Sequence, residues 1–393
     1  MADQLTPFAL PLYGNHIVQT PHINWLRSLQ SSIQFNSAYC NSPLCAPARH
    51  SLITGKLPSC IAAYDNASYL PSNIPTIPHY LSNLGYHTVL SGKMHFVGAD
   101  QLHGFHQRLT TDIYPADFGW TANWNPSFQT QRYDDWYHNM SSVKDAGYAA
   151  TSNQLEFDDE VQHQSIQKLY DLARVSNRNQ PWFMLVSYTH PHDPYVTRKK
   201  YWDLYENLQI DSPKVPHTDL ADAHSRRLTH ILDINNHSMQ ITMDDVLNAR
   251  RAYYGNISYV DEKIGELIKV LTDCDVFDDT VIVLCADHGD MLGEHGLWYK
   301  MTFYEHAARV PLLIHVPRNY LPSELETNAV EQNVSMVDML PTMVDVASIG
   351  DMNKRRSEEV FVDAELSGKS LWRYFRSNEV GECPNNNGES IVY

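Results

Sequence analysis

The chain has 393 residues, of which 43% are hydrophobic and 19% charged, and its formal net charge is −17. These proportions are ordinary for a globular protein and exclude a largely disordered chain. The negative charge argues against nucleic acid or an anionic membrane surface as a partner. No apolar run in the sequence is long enough to cross a bilayer, and the length suits one large domain, alone or with a small one.

Helices are predicted from capping residues and from apolar residues at helical spacing. The first begins at Thr20, an N-cap candidate that is followed by Pro21, a residue suited to the first turn. The longest carries an apolar stripe that we interpret as a core-facing surface. The predicted helices cover 20–26, 74–84, 153–175, 244–271 and 337–347, the last interrupted near Pro341.

Strands are predicted where short apolar runs occur between the helices, at 88–90, 182–188, 280–285 and 310–316. The alternation of strands and helices predicts an α/β fold with a mainly parallel central sheet and helices on both faces. The polar stretch 209–236, rich in His and Asp, is expected to be a surface insertion. None of the six cysteines has the spacing of a disulfide framework, which favours a reducing, cytoplasmic location.

Polar clusters follow three of these strands directly. Lys93 and His95 follow the first, 189–194 follows the second, and 286–290 follows the third, with Lys300 shortly after. Taken singly, each cluster is adequately explained as a solvated loop. In open α/β sheets, however, ligands bind beyond the carboxyl ends of the strands. The three clusters together therefore predict one functional site.

The segment 45–55 reads Cys-Ala-Pro-Ala-Arg-His-Ser-Leu-Ile-Thr-Gly. Pro47 suits the first turn of a helix that starts near Ala46 and runs towards Thr54. The helix would direct its free N–H groups and positive dipole end at Cys45. Arg49, one turn later, would point back to the same place. A buried structural cysteine beside a helix start is the alternative interpretation.

The pattern Cys-x-Pro-x-Arg followed by Thr54-Gly55 resembles that of the type I sulfatases, in the alkaline phosphatase superfamily. In this family the cysteine is converted to formylglycine, an aldehyde that hydrates to a geminal diol. The run 91–98 and the segment 109–120 resemble the choline-sulfatase branch in particular. Further segments that resemble this branch are 64–67, 100–105, 136–139, 190–195 and 287–293.

The resemblance implies an alkaline phosphatase-like fold, with a catalytic domain over 1–350 and the start of a C-terminal subdomain over 351–393. In the family a buried strand precedes the first acidic residue, and here that strand would be almost absent before Asp3. We therefore expect a chain truncated at both ends. The full-length protein is expected to be a homo-oligomer.

The resemblance also implies a divalent metal held by Asp3, Asp287, His288 and an oxygen of the diol at residue 45. Carboxylate oxygens suit Ca²⁺. His288 stands where the family often has an amide, and an imidazole ligand shifts the preference towards a softer ion such as Mn²⁺. Asp290 and Glu294 are interpreted as residues that shape the loop, and Gln4 as a possible additional contact.

Six residues are implied in catalysis: Cys45, Arg49, Lys93, His95, His192 and Lys300. Either His192 or Lys300 could give the leaving oxygen its proton. His190 competes with His192 for this role, and His192 is preferred because it directly follows Pro191, as in the family motif.

Substrate-binding residues are expected to be Asn66, Trp120, His138 and Asn139. The implied substrate is a small sulfate ester, choline-O-sulfate, whose quaternary ammonium would bind aromatic faces. Burial in the core is the alternative for Trp120. A formylglycine-generating enzyme is the implied partner. An aryl sulfatase, a phosphonate monoester hydrolase and an inactive truncated homologue remain the alternative functions.

Overall fold

The computed structural model describes residues 1–114, 116, 140–174, 180–216, 222–232, 234, 240–321, 325, 327–349 and 366–376. The predicted substrate residues Trp120, His138 and Asn139 lie outside this part of the chain. The strands are β1 (Ala2–Asp3), β2 (Ser32–Tyr39), β3 (His87–Gly92), β4 (Gln107–Arg108), β5 (Gly147–Ala149), β6 (Trp182–Pro191), β7 (Val196–Arg198), β8 (Ile282–Cys285), β9 (Arg309–His315) and β10 (Ala329–Ser335). The helices are α1 (Pro21–Ser28), α2 (Cys45–Thr54), α3 (Ile77–Asn83), α4 (Ser141–Lys144), α5 (Asn153–Leu172), α6 (Lys199–Asp203), α7 (Ala223–Ile231), α8 (Met243–Asp273), α9 (Glu305–Ala308) and α10 (Met339–Ala347).

The central sheet consists of two four-stranded halves that β1 joins. One half has the order β4-β3-β6-β1 with parallel pairs throughout, and the other has the order β8-β9-β2-β10. Only β9 runs antiparallel to its neighbours in these two halves. Ala2 pairs with Tyr188 in β6 and forms a parallel bridge to Ala286, which follows β8. The mainly parallel α/β architecture, with helices on both faces, is confirmed.

The sheet brings β1, β6 and β8 side by side, so the segments that follow these strands share one edge. The side chains of Asp3, Thr189 and Asp287 are all buried there. This is the arrangement expected when parallel strands end at a common ligand-binding edge. The fold therefore places the polar clusters of three distant sequence regions in one site.

Several helix boundaries differ from the predictions for local reasons. Pro341 lies in the first turn of α10 and does not interrupt it, because N–H groups in the first turn have no partner within the helix. A short 3-10 turn over Met336–Asp338 precedes α10. α3 begins at Ile77 because Thr76 caps it, with Pro78 in its first turn.

The stretch 209–236 is more than the polar surface insertion that was expected. It contains α7, which begins after the N-cap Asp222. Leu228 and Leu232 are buried. Backbone N–H groups of Lys214 and Val215 donate to the Glu294 carboxylate at 2.9 and 2.8 Å. The described part of this stretch therefore packs against the loop after β8.

The segment 366–376 packs against the main core. Leu371 and Phe375 are buried in the same cluster as the sheet residues, and the Leu371 N–H donates to Thr342 Oγ1 at 2.8 Å. A separate subdomain beginning at 351 remains a prediction.

An apolar cavity of about 630 Å³ lies between β6 and β8. It is lined by Met1, by Trp182–Leu185 of β6 and by Val283 of β8, among others. Over Trp182–Ser187, the strand pairing of β6 is with β3 alone.

None of the described helices is long and apolar enough to span a membrane.

Candidate active site

Cys45 is the first residue of α2, one position earlier in the helix than expected. Leu44 is the N-cap and has extended backbone angles, while Gly55 ends the helix in the left-handed conformation. The N–H of Ala46 donates to Asn66 Oδ1 at 3.1 Å, so an outside residue satisfies one free donor of the helix start. The Cys45 side chain is only 1% exposed. It therefore faces the interior of the site.

Four potential metal ligands surround one point. The ligand atoms of Asp3, Cys45, Asp287 and His288 all lie within 4.8 Å of one another. His288 Nε2 is 3.3 Å from Cys45 Sγ and 3.7 Å from Asp3 Oδ1. The other ring nitrogen, Nδ1, lies 3.0 Å from the Gly289 carbonyl, which is the usual second contact of a metal-binding imidazole. The donor set and its support fit a divalent cation.

Arg49 forms buried ion pairs with the carboxylates of both Asp3 and Asp287. Its Nε donates to Asp287 Oδ2 at 2.8 Å, and its Nη2 is 3.4 Å from Asp3 Oδ2. Nη1 donates to Ser187 Oγ at 3.0 Å. Arg49 was expected to point back towards residue 45, and in the structure it contacts the two acidic residues that would hold the metal, together with Ser187 and the Lys93 carbonyl. Ser187 carries no motif that would have identified it from sequence.

Lys93 and His95 follow the end of β3, as predicted. Gly92 has φ +105°, and a Cβ there would lie 2.0 Å from the Ser187 carbonyl oxygen, so only glycine permits this approach. Lys93 Nζ forms an ion pair with Asp3 and lies 3.7 Å from Cys45 Sγ. His95 Nε2 is 3.0 Å from the Asn66 carbonyl. Asn66 therefore joins the helix start and the His95 turn.

Lys300 and His192 are both buried and contact each other. Lys300 Nζ is 2.6 Å from His192 Nε2 and 2.6 Å from Gln4 Oε1. His192 Nδ1 lies 2.6 Å from the Asp193 carbonyl, which orients the ring. Gln4, suggested only as a possible contact, also donates to Asp290 Oδ2 at 2.6 Å.

His190 contacts Asp158 and Tyr259, which are not among the predicted site residues. Its Nδ1 is 2.7 Å from Asp158 Oδ2, and its ring packs edge-on against Tyr259. The Asp158 carboxylate also accepts the backbone N–H groups of Thr189 and His190. These contacts tie the end of β6 to α5. The preference for His192 over His190 as the functional residue stays a prediction.

Charges in the site shift the pKa values of its acids and bases. Burial alone would raise the pKa of the Cys45 thiol, but Lys93, Lys300 and His288 lower it well below its usual value. Burial, and then Asp287, raise the pKa of Asp3. The pKa of His288 is raised by Asp287 and Cys45 although burial acts in the opposite direction. The lowered pKa of Cys45 thus reflects the cationic groups around it, and the raised pKa of His288 reflects the anionic ones.

Two residues with clear roles in the geometry were not singled out from the sequence. Asp112 Oδ2 accepts the backbone N–H groups of Met94 and His95 at 2.9 and 2.8 Å. The ring of Tyr114 lies 4.5 Å from Lys93 Nζ. Both belong to the segment 109–120, whose resemblance to the choline-sulfatase branch was the available signal.

The chain is similar to known proteins over most of its length. The family model described as Sulfatase matches residues 1–349. A choline-sulfatase from Rhizobium meliloti is 49% identical over 353 residues, covering 89% of this chain and 67% of that protein. An arylsulfatase from Clostridium perfringens is 29% identical, covering 89% of this chain and 74% of the other.

Among solved structures, a phosphonate monoester hydrolase of Agrobacterium radiobacter superposes with a TM-score of 0.70 at 21% identity. The match covers 97% of this chain and 77% of the other. At this identity the similarity concerns the fold alone. The family match over most of the chain, and the 49% identity, lead to one conclusion: the chain belongs to the sulfatase family of sulfuric ester hydrolases.

Proposed function

We propose that this protein hydrolyses choline-O-sulfate to choline and sulfate. The observation that carries the proposal is that Cys45 lies in one buried group with Asp3, Asp287 and His288, with Lys93 Nζ 3.7 Å from its Sγ. The choice of choline rests on the similarity to a choline-sulfatase and on the segment 109–120.

Residue 45 is the nucleophile after a formylglycine-generating enzyme has converted its side chain to an aldehyde. The position of Cys45 Sγ in the structure marks where the oxygen atoms of the hydrated aldehyde would lie. One hydroxyl attacks sulfur as the choline oxygen leaves, and His95 takes the proton of the second hydroxyl. The bond between carbon and the sulfated oxygen then breaks, which releases sulfate and restores the aldehyde. A serine would lack the second hydroxyl and would remain sulfated.

Cationic side chains stabilise the charge that develops on the sulfuryl oxygens. Lys93 Nζ lies 3.7 Å from Cys45 Sγ, and Lys300 contacts His192. Such preorganised charges are worth most in a buried site. His192 or Lys300 gives the choline oxygen its proton, while Arg49 fixes the carboxylates of Asp3 and Asp287.

Asp3, Asp287, His288 and an oxygen of residue 45 would hold a divalent cation. Such a cation supplies positive charge that favours ionisation of the nucleophile. The carboxylates suit Ca²⁺, and the imidazole of His288 also suits Mn²⁺.

The quaternary ammonium of choline cannot donate a strong hydrogen bond and is best bound by aromatic faces. Trp120 is the proposed wall of this subsite, with His138, Asn139 and Asn66 around it. Asn66 is the member of this group within the described residues, and it contacts both Ala46 and His95. We further propose a cytoplasmic homo-oligomer, for which the free cysteines and the family resemblance are the support.

The test is sulfate release from choline-O-sulfate by the chain expressed with a formylglycine-generating enzyme. Cys45→Ala is the control, and mass spectrometry confirms the aldehyde. Release that depends on residue 45 is expected. Confirmed aldehyde without release would contradict the choline assignment, and faster turnover of a phosphonate monoester or aryl sulfate would favour those activities.

Trp120→Ala separates the choline subsite from the reaction centre. We expect this change to reduce turnover of choline-O-sulfate far more than turnover of an aryl sulfate, because only choline needs the aromatic face. Equal losses on both substrates would contradict the role of Trp120.

A further inference from the structure

Before conversion to formylglycine, residue 45 offers a sulfur atom to a metal, and after conversion it offers an oxygen atom. This single change of ligand atom alters which metal the site prefers. With a cysteine at position 45, the group consists of one thiolate, one imidazole and two carboxylates. Thiolate and imidazole are the ligands that zinc prefers, whereas calcium takes oxygen ligands.

The spacing of these atoms also fits zinc. Bonds of 2.0–2.3 Å in a tetrahedron place neighbouring ligand atoms about 3.3 to 3.6 Å apart. The observed separations are 3.3 Å between Cys45 Sγ and His288 Nε2, and 3.8 Å between Cys45 Sγ and Asp3 Oδ1. His288 Nε2 lies 3.7 Å from Asp3 Oδ1 and 3.7 Å from Asp287 Oδ2. These four separations are within a few tenths of an ångström of the tetrahedral values, and all four ligand atoms lie within 4.8 Å of one another.

Surrounding contacts hold three of these ligands, His288, Asp287 and Cys45, in place. His288 Nδ1 contacts the Gly289 carbonyl, and Asp287 Oδ1 accepts the N–H of Gln4 at 3.0 Å. Lys93 Nζ lies 3.7 Å from Cys45 Sγ, where it can donate to a bound thiolate. Outer contacts of this kind orient ligands and strengthen metal binding.

We propose that the chain with unconverted Cys45 is a zinc-binding protein, in which Asp3, Cys45, Asp287 and His288 form a closed four-ligand site. Binding releases the thiol proton to solvent and leaves no open coordination position. Conversion of Cys45 replaces sulfur by oxygen and removes the soft ligand. The same pocket thus changes its preferred metal when residue 45 is modified. This inference rests on the metal-binding part of the proposed function and not on choline.

The experiment uses the full chain expressed without a formylglycine-generating enzyme, stripped of metal, with cysteine at position 45 verified by mass. Cobalt(II) serves as the spectroscopic substitute for zinc. We expect a thiolate-to-cobalt charge-transfer band, which Zn²⁺ abolishes and a large excess of Ca²⁺ does not.

Cys45→Ser tests the ligand, and Cys285→Ser is the matched control because Cys285 is also a buried cysteine. Cys60→Ser is included in all variants, since Cys60 is exposed. Cys45→Ser should lose the band and bind Zn²⁺ at least about 100-fold more weakly. Loss of a residue that only contacts a ligand typically weakens metal binding by about 10- to 100-fold, and loss of a ligand itself should cost no less. Cys285→Ser should keep both properties.

A band that persists in Cys45→Ser, or its absence from the folded cysteine form, would overturn the inference. Equal displacement by Ca²⁺ would overturn it as well. Circular dichroism verifies that Cys45→Ser is folded. Because the unconverted chain is used, the result is independent of the choline assay. Zinc binding through Cys45, combined with no sulfate release after conversion, would leave this inference standing and contradict the proposed substrate.

Discussion

At the scale of single residues, Gln4 connects the two halves of the site. Its backbone N–H donates to the metal-site carboxylate of Asp287, and its side chain contacts Lys300 and Asp290. Its φ of +63° is unusual for a residue with a side chain. The position directly after Asp3 makes this possible, because β1 ends there. Gln4 is therefore a positioning residue for Lys300.

Gln4→Leu should lower kcat by roughly 10- to 100-fold with a smaller change in KM. The reason is the loss of one charged hydrogen bond, worth about 1.5–3 kcal/mol, that orients Lys300. Steady-state kinetics of the converted enzyme measure this effect. Gln162→Leu is the control, a buried glutamine whose described contacts are to Lys263, Glu266 and Tyr188. It should change stability and leave kcat unaltered; an unaltered kcat in Gln4→Leu would refute the role.

Asp112 positions the turn that carries Lys93 and His95. His95 has φ +59°, which costs free energy for a residue other than glycine. The two N–H groups bound by Asp112 stabilise this backbone, and Arg108 Nη2 contacts the same carboxylate at 3.0 Å.

Asp112→Ala should reduce kcat roughly tenfold or more, because two backbone hydrogen bonds of about 1 kcal/mol each are lost. Asp112→Asn keeps one acceptor oxygen and should retain more of the activity. Kinetics and melting temperature are measured together. If Asn and Ala give the same kcat as the parent, Asp112 has no part in positioning the turn.

At the scale of elements, β1 is a two-residue strand at the centre of an eight-stranded arrangement. The Met1 amino group donates to the Val186 carbonyl at 2.9 Å, and burial lowers its pKa. The cavity between β6 and β8 begins at this point.

His315 at the end of β9 gives the sheet a pH dependence. Burial lowers its pKa to about 4, below the value of about 6.5 for an unfolded chain. Its Nδ1 contacts Ser32 Oγ at 3.1 Å. Between these pKa values the unfolded chain binds a proton that the folded chain does not. Stability is therefore fully present above pH 6.5 and is lost as the pH falls towards 4.

His315→Gln should remove this dependence. Between pH 7.5 and pH 5 the parent should lose about 1–2 kcal/mol more than the variant. Urea unfolding at both pH values gives the difference. His16→Gln changes an exposed histidine and should behave like the parent. The same loss in His315→Gln as in the parent would rule out His315 as its source.

At the scale of the whole molecule, the metal ligands come from β1, from α2 and from the segment after β8. The outermost of these ligands, Asp3 and His288, are 285 residues apart in the sequence, and Cys45 is 42 residues from the first and 243 from the second. A bound cation therefore connects both halves of the sheet. Ligands that bind only the folded state stabilise it by mass action.

Ca²⁺ or Mn²⁺ at 100 times its dissociation constant should add about 2.7 kcal/mol to the stability of the converted enzyme. For a chain of this length the melting temperature should rise by roughly 3 °C. Calorimetric scans with metal and with chelator measure the change. Asp287→Asn should lose the metal-dependent part of it. A shift that survives in this variant would place the stabilising cation elsewhere.

The sequence by itself determined the α/β class, the long helices and the chemical identity of the site. These features depend on local signals: apolar spacing for α8, Thr20 before Pro21 for α1, and the spacing of Cys45 and Arg49 within one helix. Polar residues directly after apolar strands identified Lys93, His95 and Asp287, since parallel strands end at one edge.

Only the tertiary structure decided which distant residues touch. β2 and β10 were not predicted, and Pro341 does not interrupt α10. The contact between Gln4 and Lys300 spans 296 residues of sequence, and Asp112 binds backbone groups that any residue type would offer. Such contacts leave no periodic or spacing signal, because they arise from how the packed sheet brings chain segments together. Local chemistry was readable from the chain, and its arrangement in space required the fold.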